Sequence, residues 1–159
     1  MSEQRVPMTP EGYRKLQQEL KRLKSEERPA VVKAIEEARA HGDLTENAEY
    51  DAAKEKQAQL ERRINEIEDK LARAEVIDPS RMKGDKVVFG AKVLLTDLNT
   101  NKQVSYQLVG DEEADINERK ISVHSPVARA IIGKSVGDMV LVRTPGGERE
   151  YVVEEIIFE

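Results

Sequence analysis

The sequence predicts an α+β protein, in which a long N-terminal antiparallel coiled-coil hairpin over residues 1–78 precedes a small, mostly antiparallel β domain with one short helix over residues 79–159. Two observations support this division. In the first part, apolar residues recur at spacings of three and four, which is the period of a helical seam. After Asp78 that period stops, and runs rich in Val, Leu and Thr follow, separated by turn-forming segments.

The first helix is predicted to begin at Thr9, which suits an N-cap, with Pro10 at the first helical position and Glu11 near the positive end of the helix dipole. An apolar stripe follows and then resumes one position out of register: Tyr13, Leu16, Leu20, Leu23, and then Val31, Ile35, Ala38. Such a shift is a stutter. Pro29 lies within it and predicts a local kink, after which the helix continues.

The second helix has an uninterrupted seam, formed by Tyr50, Ala53, Gln57, Leu60, Ile64, Ile67, Leu71 and Ala74. This three-four spacing is typical of a coiled coil. Because neither helix hides its stripe alone and the link between them is short, the two are expected to pack antiparallel. Roughly thirty residues at about 1.5 Å each predict an arm about 45 Å long.

The link between the helices contains two carboxylates, Asp43 and Glu46. They follow Gly42, which suits the left-handed backbone conformation that ends many α-helices. The spacing of the two acids is that of a capping box for the second helix. A second interpretation is that both are exposed at the end of the arm and hold a hard cation. A phosphate or another protein's carboxylates would then complete the shell. The two interpretations are compatible.

The second part is predicted to form two hairpins and a short strand–helix unit. Ser125 and Pro126 suit the start of that helix, and Gly133 suits its end. The predicted elements are strands at 86–98, 103–109 and 121–124, a helix to residue 132, and strands at 139–143 and 151–158.

The composition excludes several classes of protein. The chain of 159 residues has no cysteine and two histidines, which excludes disulfides, thiolate metal sites and a zinc site made of histidines alone. A net charge of -5 argues against independent tight binding to DNA. Apolar runs are too short for a membrane span, and the N-terminus lacks the apolar core of a signal peptide, so a cytoplasmic protein is expected.

The sequence of the link and of the residues around it resembles that of a known protein family. Residues 37–50 read EARAHGDLTENAEY, and Ala52-Ala-Lys-Glu follows shortly after. This block closely resembles the tip of bacterial transcription elongation and transcript-cleavage factors of the GreA/GreB family, and its His-Gly-Asp-Leu sequence is more similar to the GreA type. Further matches run along the whole chain, at 76–78, 89–91, 111–115, 121–123, 125–126 and 144–147.

The resemblance implies an accessory factor rather than an enzyme. In that family the coiled coil enters the secondary channel of RNA polymerase and stimulates the polymerase's metal-dependent hydrolysis of backtracked RNA 3′ ends, which rescues arrested complexes. The resemblance places catalytic and metal-binding roles on Asp43 and Glu46. It implies that Mg²⁺ is shared with the polymerase and is not bound tightly by the free protein. It also implies that the second part is an FKBP-like domain that docks at the rim of the channel.

Four further residues acquire roles through the resemblance. Arg39 and Lys54 lie nearest the tip and match a basic spot that contacts the nascent RNA 3′ end, although helix pairing is an equal alternative. Ser125 and Pro126 match the polymerase-docking loop, and a simple helix cap is compatible with that role. His124 has no assigned role. A channel-blocking relative without cleavage activity and a structural coiled-coil adaptor are the competing functional classes.

Overall fold

The computed structural model describes residues 4–42 and 47–159, and the chain divides into two compact units. One unit spans Tyr13–Ala74, and the other combines Arg5–Gly12 with Glu75–Glu159. The fold class predicted from the sequence, a helical hairpin followed by a small β domain, is confirmed. The domain boundary after residue 78 stays a prediction.

The helical unit contains α1 (Pro10–Arg22) from Tyr13 onward, a π-helical turn (Leu23–Glu27), α2 (Arg28–Arg39) and α3 (Ala48–Ala72). The buried apolar residues are those of the predicted seams: Leu16, Leu23, Val31, Ile35 and Ala38 on one side, and Ala53, Leu60, Ile64 and Ile67 on the other. Ile64 and Ile67 are almost completely buried. Burying an aliphatic side chain of this size stabilises the fold by about 1.5–3 kcal/mol, so the seam carries most of the stability of the hairpin.

The irregularity predicted in the first helix is present as a π-helical turn, which lies before Pro29, and the helix continues through it. In the π-helical turn, the backbone N–H of Arg28 donates to the carbonyl of Leu23, five residues back. This wider turn adds one residue to the helical spacing, and so both Leu23 and Val31 face the seam. Pro29 then lies in the first turn of α2, where its missing N–H breaks no α-helical hydrogen bond.

Two bidentate ion pairs join the helices across the seam. Arg28 donates to both carboxylate oxygens of Glu61 at 3.0 and 2.8 Å, and Arg63 donates to both oxygens of Glu19 at 2.8 and 3.1 Å. The hydrogen bond from Arg28 lowers the pKa of Glu61. Because all four side chains are partly exposed, each pair adds little stability. Their geometry instead favours one antiparallel register over its neighbours.

The first turn of α1 belongs to the second unit and is held there by a glutamate distant in sequence. Thr9 caps the helix as predicted, since its hydroxyl accepts the N–H of Gly12 at 3.1 Å. Glu113 accepts the backbone N–H of Thr9 at 3.0 Å and also the Thr9 hydroxyl. A Cβ on Gly12 would meet the end of the Glu113 side chain, which would have to move from its contacts with Thr9. A glycine at this position therefore suits the close approach of Glu113.

The second unit contains two sheets. A two-stranded sheet pairs β1 (Val6–Met8) with β2 (Ala74–Val76). A five-stranded sheet has the order β5-β4-β3-β7-β6, and its pairs are antiparallel apart from the parallel pair β4–β5. Its strands are β3 (Lys92–Asp97), β4 (Lys102–Val109), β5 (Lys120–Ser122), β6 (Met139–Thr144) and β7 (Gly147–Ile157).

One short helix, α4 (Pro126–Ile131), packs on the five-stranded sheet through Ala128 and Ile131, both fully buried. Burial alternates along β3, as expected for a strand with one face on the core. The core also contains Val87, Leu95, Leu108, Val142 and Val153. The two predicted hairpins and the single helix are confirmed.

Some boundaries predicted from the sequence are wrong, and one strand was missed. The first strand of the second part begins at Lys92 rather than residue 86. Residues 86–91 instead contain an isolated β-bridge between Lys86 and Ser135, followed by a turn. The α3 seam ends at Ala72, and Ala74 instead begins β2. The strand β1 was not predicted, since three residues near a chain end carry no periodic signal.

Among residues 4–42 and 47–159, no helix combines the length and the apolar character that a membrane crossing requires. The longest helix, α3, has 25 residues, and its outward face is charged.

The turn between β3 and β4 is organised by Asp97, whose side chain is 10% exposed. Its carboxylate accepts the backbone N–H of Asn99 at 2.8 Å and a guanidinium hydrogen of Arg149 at 2.9 Å. Burial raises the pKa of Asp97, but the bonds from Asn99 and Arg149 outweigh it, and the net effect holds the pKa below its usual value.

This lowered pKa predicts acid sensitivity. A carboxyl group with a lower pKa in the folded state stabilises the fold above its unfolded pKa and loses that contribution as the pH falls through the folded value. Asp97→Asn should therefore lower the urea midpoint at about pH 7 and have a smaller effect at about pH 2. Asp85, exposed and without a hydrogen bond or ion pair to a described residue, gives the matched control Asp85→Asn. An equal effect of Asp97→Asn at both pH values would contradict the assignment.

Candidate functional site

The first helix ends three residues before the acidic link. The N–H groups of Ala40, His41 and Gly42 donate to carbonyls of the last turn at 3.1, 3.2 and 3.0 Å. Gly42 has φ +87°, the left-handed conformation predicted for it. Nothing lies within 4 Å of a Cβ placed there, so the constraint on this position comes from the backbone conformation alone.

The second helix is capped by Asn47, which the sequence reasoning missed. Its side-chain oxygen accepts the N–H of Tyr50 at 3.0 Å, and α3 begins at Ala48. The capping-box interpretation of Asp43 and Glu46 is therefore wrong, because it requires a helix that begins directly after Asp43. The available signal was the residue type, since Asn is among the preferred N-caps.

The Asn47 side chain also joins the two helix ends. Its amide nitrogen donates to the backbone carbonyl of Ala38 in the last turn of α2, at 2.6 Å. Asn47 is buried, with 9% of its surface exposed. Its orientation follows from its partners, since the oxygen must face an N–H and the nitrogen must face a carbonyl. Each such hydrogen bond contributes about 1 kcal/mol, and leaving either partner buried without one costs more.

The predicted catalytic and metal-binding residues, Asp43 and Glu46, lie outside the described residues. The structure describes both ends of the four-residue link that contains them, Gly42 and Asn47. Within residues 4–42 and 47–159, no three His, Asp or Glu side chains are grouped so that they could hold a metal ion. The roles of Asp43 and Glu46 stay predictions.

The two basic residues assigned to RNA lie at the same end of the hairpin. Arg39 is the last residue of α2, and its exposed side chain makes no hydrogen bond or ion pair to a described residue. Lys54, near the start of α3, is exposed and donates to the side chain of Gln57 at 3.1 Å. The alternative role considered from the sequence was pairing with side chains along the same helix. Among the described residues, Lys54 makes one exposed contact of this kind, its hydrogen bond to Gln57. Their contact with RNA stays a prediction.

In the second unit, Ser125 and Pro126 start α4, as predicted. The Ser125 hydroxyl accepts the N–H of Ala128 at 3.3 Å, and Pro126 occupies the first position. The loop is braced from the other side by Asp111, which accepts the Ser122 hydroxyl and lies 3.0 Å from the His124 ring nitrogen. His124, left without a role by the sequence, thus helps to hold the loop that precedes α4.

Beside this loop lies an open cavity of about 440 Å³, lined by His124, Pro126, Arg129, Ala130, Leu141 and Arg143. Its lining combines two arginines with apolar side chains. Leu141 and the neighbouring Met139 expose 43% and 69% of their surfaces. Such a surface suits contact with an acidic partner that also presents apolar groups. The docking role of Ser125 and Pro126 stays a prediction.

Both parts of the chain match models of transcription elongation factors. The model described as "Transcription elongation factor, N-terminal" matches residues 6–76, and "Transcription elongation factor, GreA/GreB, C-term" matches residues 82–158. The chain belongs to the GreA/GreB family, which confirms the resemblance found in the sequence.

Two bacterial GreA proteins agree with this assignment. The chain is 59% identical to transcription elongation factor GreA of Anaeromyxobacter sp. (strain K), over 98% of this chain and 93% of the relative. It is 58% identical to GreA of Phenylobacterium zucineum, over 96% and 98%. Among solved structures, the GreA factor homolog 1 (Gfh1) of Thermus thermophilus is 33% identical, with 97% of this chain and 99% of that chain covered and a TM-score of 0.45.

The left-handed conformation of Gly42 predicts a specific mutational pattern. Gly42→Ala should destabilise the helical hairpin by about 1 kcal/mol, because a Cβ disfavours positive φ. Gly42→Asn should cost less, since Asn tolerates this region. Urea unfolding followed by circular dichroism measures both. Equal stability of the Ala variant and the parent would show that Gly42 is not held in this conformation.

Proposed function

We propose that this transcription elongation factor inserts its helical hairpin into the secondary channel of bacterial RNA polymerase and stimulates hydrolysis of backtracked RNA 3′ ends. The observation that carries the proposal is the link of a long antiparallel hairpin, with Asp43 and Glu46 between Gly42 and the cap Asn47. A link that carries two acids, at the end of an otherwise ordinary helical pair, can deliver carboxylates to another protein's active site.

In this proposal the protein is an accessory factor, and the bond is cut in the active site of the polymerase. Asp43 and Glu46 provide carboxylate oxygens, the donor type that Mg²⁺ prefers. Two carboxylates fill only part of a six-coordinate shell, and so the site is completed by the polymerase and the RNA. A bound ion would supply Lewis-acid polarisation of the phosphoryl group and activation of a coordinated water. Asp43 and Glu46 would help to hold it and to orient that water.

The hairpin supports this role through its shape. The 25 residues of α3 span about 37 Å, and the partner helix is kept continuous by its π-helical turn. Two helices packed on one seam give a thin arm that is stiff along its length. The hairpin therefore carries the link at the end opposite the start of α1 and the end of α3.

Two contacts would guide the RNA and the polymerase. Arg39 and Lys54, exposed at the end of the hairpin, offer positive charge to the phosphates of the displaced RNA 3′ end. Ser125 and Pro126, together with the adjacent cavity that holds Arg129 and Leu141, form the surface that docks on the rim of the channel.

The central test is neutralisation of the link. The double variant Asp43→Asn, Glu46→Gln should reduce RNA cleavage in stalled elongation complexes to the rate of polymerase alone. It should still compete with the parent for polymerase, because the acids lie far along the chain from the docking loop. Shortened RNA is measured on sequencing gels.

A charge-matched control uses two exposed acids beside the link, Asp51→Asn with Glu36→Gln. This variant should cleave like the parent. A double link variant that retains parental cleavage would remove the catalytic assignment. A parent protein that binds polymerase without shortening the RNA would instead indicate the channel-blocking class.

A shared metal site predicts a dependence on magnesium. The isolated protein should show no tight Mg²⁺ binding by calorimetry, because Asp43 and Glu46 leave most of the shell unfilled. In stalled complexes the factor should lower the Mg²⁺ concentration needed for half-maximal cleavage, and Asp43→Asn should raise it again. Mn²⁺ should also support the reaction, since it accepts oxygen ligands. Stoichiometric tight binding by the free protein would contradict a shared site.

A further inference from the structure

We propose that Asn47 is a positioning residue for the acidic link, and that its role depends on the hydrogen bond from its amide nitrogen to the Ala38 carbonyl rather than on its helix cap. This inference rests on the proposed function. It assigns to a buried amide the task of holding the end of α2 and the start of α3 at one fixed separation.

The evidence is the double use of one buried side chain. The Asn47 oxygen accepts the N–H of Tyr50 at 3.0 Å within α3, and the nitrogen donates to Ala38 of α2 at 2.6 Å. The Ala38 carbonyl also accepts the N–H of His41 at 3.2 Å. One carbonyl thus connects the turn that leads into the link with the residue that follows it.

A helix cap alone does not require this arrangement. Ser, Thr and Asp all accept the N–H group of a first turn, but an ionised Asp has no donor, and Ser and Thr carry their donor and acceptor on a single oxygen of a shorter side chain. A carboxamide carries an acceptor and a donor on separate atoms, which matches the two partners of Asn47. The residue type at position 47 is therefore explained by the connection between the helices as well as by the cap.

A second contact also joins the helix ends, and its character is different. The His41 ring nitrogen lies 3.4 Å from a carboxylate oxygen of Glu49, and both side chains are more than half exposed. An exposed pair of this kind contributes little and is screened by salt. Asn47 is 9% exposed, so its hydrogen bond to Ala38 is not replaced by water when it is lost.

The consequence for cleavage follows from the shortness of the link. Only four residues separate Gly42 from Asn47, so a shift of either end displaces the carboxylates between them. A displacement of about 1 Å at a reacting centre can reduce a rate by about 100-fold. Loss of the bond to Ala38 should therefore lower the cleavage rate without changing how the protein binds polymerase.

The test compares variants that keep the cap with one that removes it. Asn47→Ser keeps an acceptor for Tyr50 but does not reach Ala38, and Asn47→Asp keeps the acceptor while replacing the donor with a second oxygen. Asn47→Ala removes both functions. His41→Gln, which removes the exposed contact with Glu49, is the matched control. All are measured as the full chain in stalled elongation complexes.

Both cap-retaining variants should melt within a few degrees of the parent and show an unchanged half-saturating concentration, while the cleavage rate at saturation falls about tenfold or more. His41→Gln should match the parent. Hydrogen exchange gives a readout independent of cleavage: in Asn47→Ser the Gly42 amide should exchange faster, and the Tyr50 amide should stay protected.

Two outcomes separate the hypotheses. If the parent stimulates cleavage and Asn47→Ser does so equally, the positioning role is overturned and Asn47 is a cap only. If the parent itself stimulates no cleavage, the proposed function fails and the positioning role fails with it. Unchanged exchange at Gly42 in Asn47→Ser would overturn the connection between the helix ends in either case.

Discussion

The helical unit depends on one constraint, which is that two apolar stripes must be buried and neither helix can bury its own. Ile64 and Ile67 expose almost none of their surface, and their helix α3 packs against α2 and the π-helical turn. A single seam has room for one partner, so the outcome is a pair rather than a bundle. Residues outside the seam face solvent and can be charged. The link joins the helices at one end of the pair.

The same constraint explains why the first helix is not regular. An α-helix with the stripe of this sequence would turn Val31 away from the seam that Leu23 occupies. One π-helical turn restores the alignment at the cost of a weaker local hydrogen-bond pattern, and Arg28 and Glu61 then meet across the seam just beyond it. The register of the helices near the link is therefore set by packing and then supported by Asn47.

The second unit is organised in the same way, by burial on one face. Strand β3 alternates buried with half-buried residues, β6 alternates buried with exposed ones over most of its length, and α4 packs on the sheet through Ala128 and Ile131. The loop before α4 is consequently fixed at both ends, by the Ser125 cap and by the contact of Asp111 with His124. A surface loop held by a rigid core is the usual location of a binding site.

The sequence alone determined the two seams, the Thr9 and Ser125 caps, the left-handed Gly42 and the family, because these depend on periodicity and on residues close together in the chain. Tertiary structure decided the features that need distant partners: the clamp of Glu113 on Thr9, the strand β1, and the choice of Asn47 over Asp43 as the cap. Local spacing favoured Asp43 and did not point to Asn47. Only the approach of the Ala38 carbonyl from the other helix satisfies the amide of Asn47, and no pattern within one helix contains that contact.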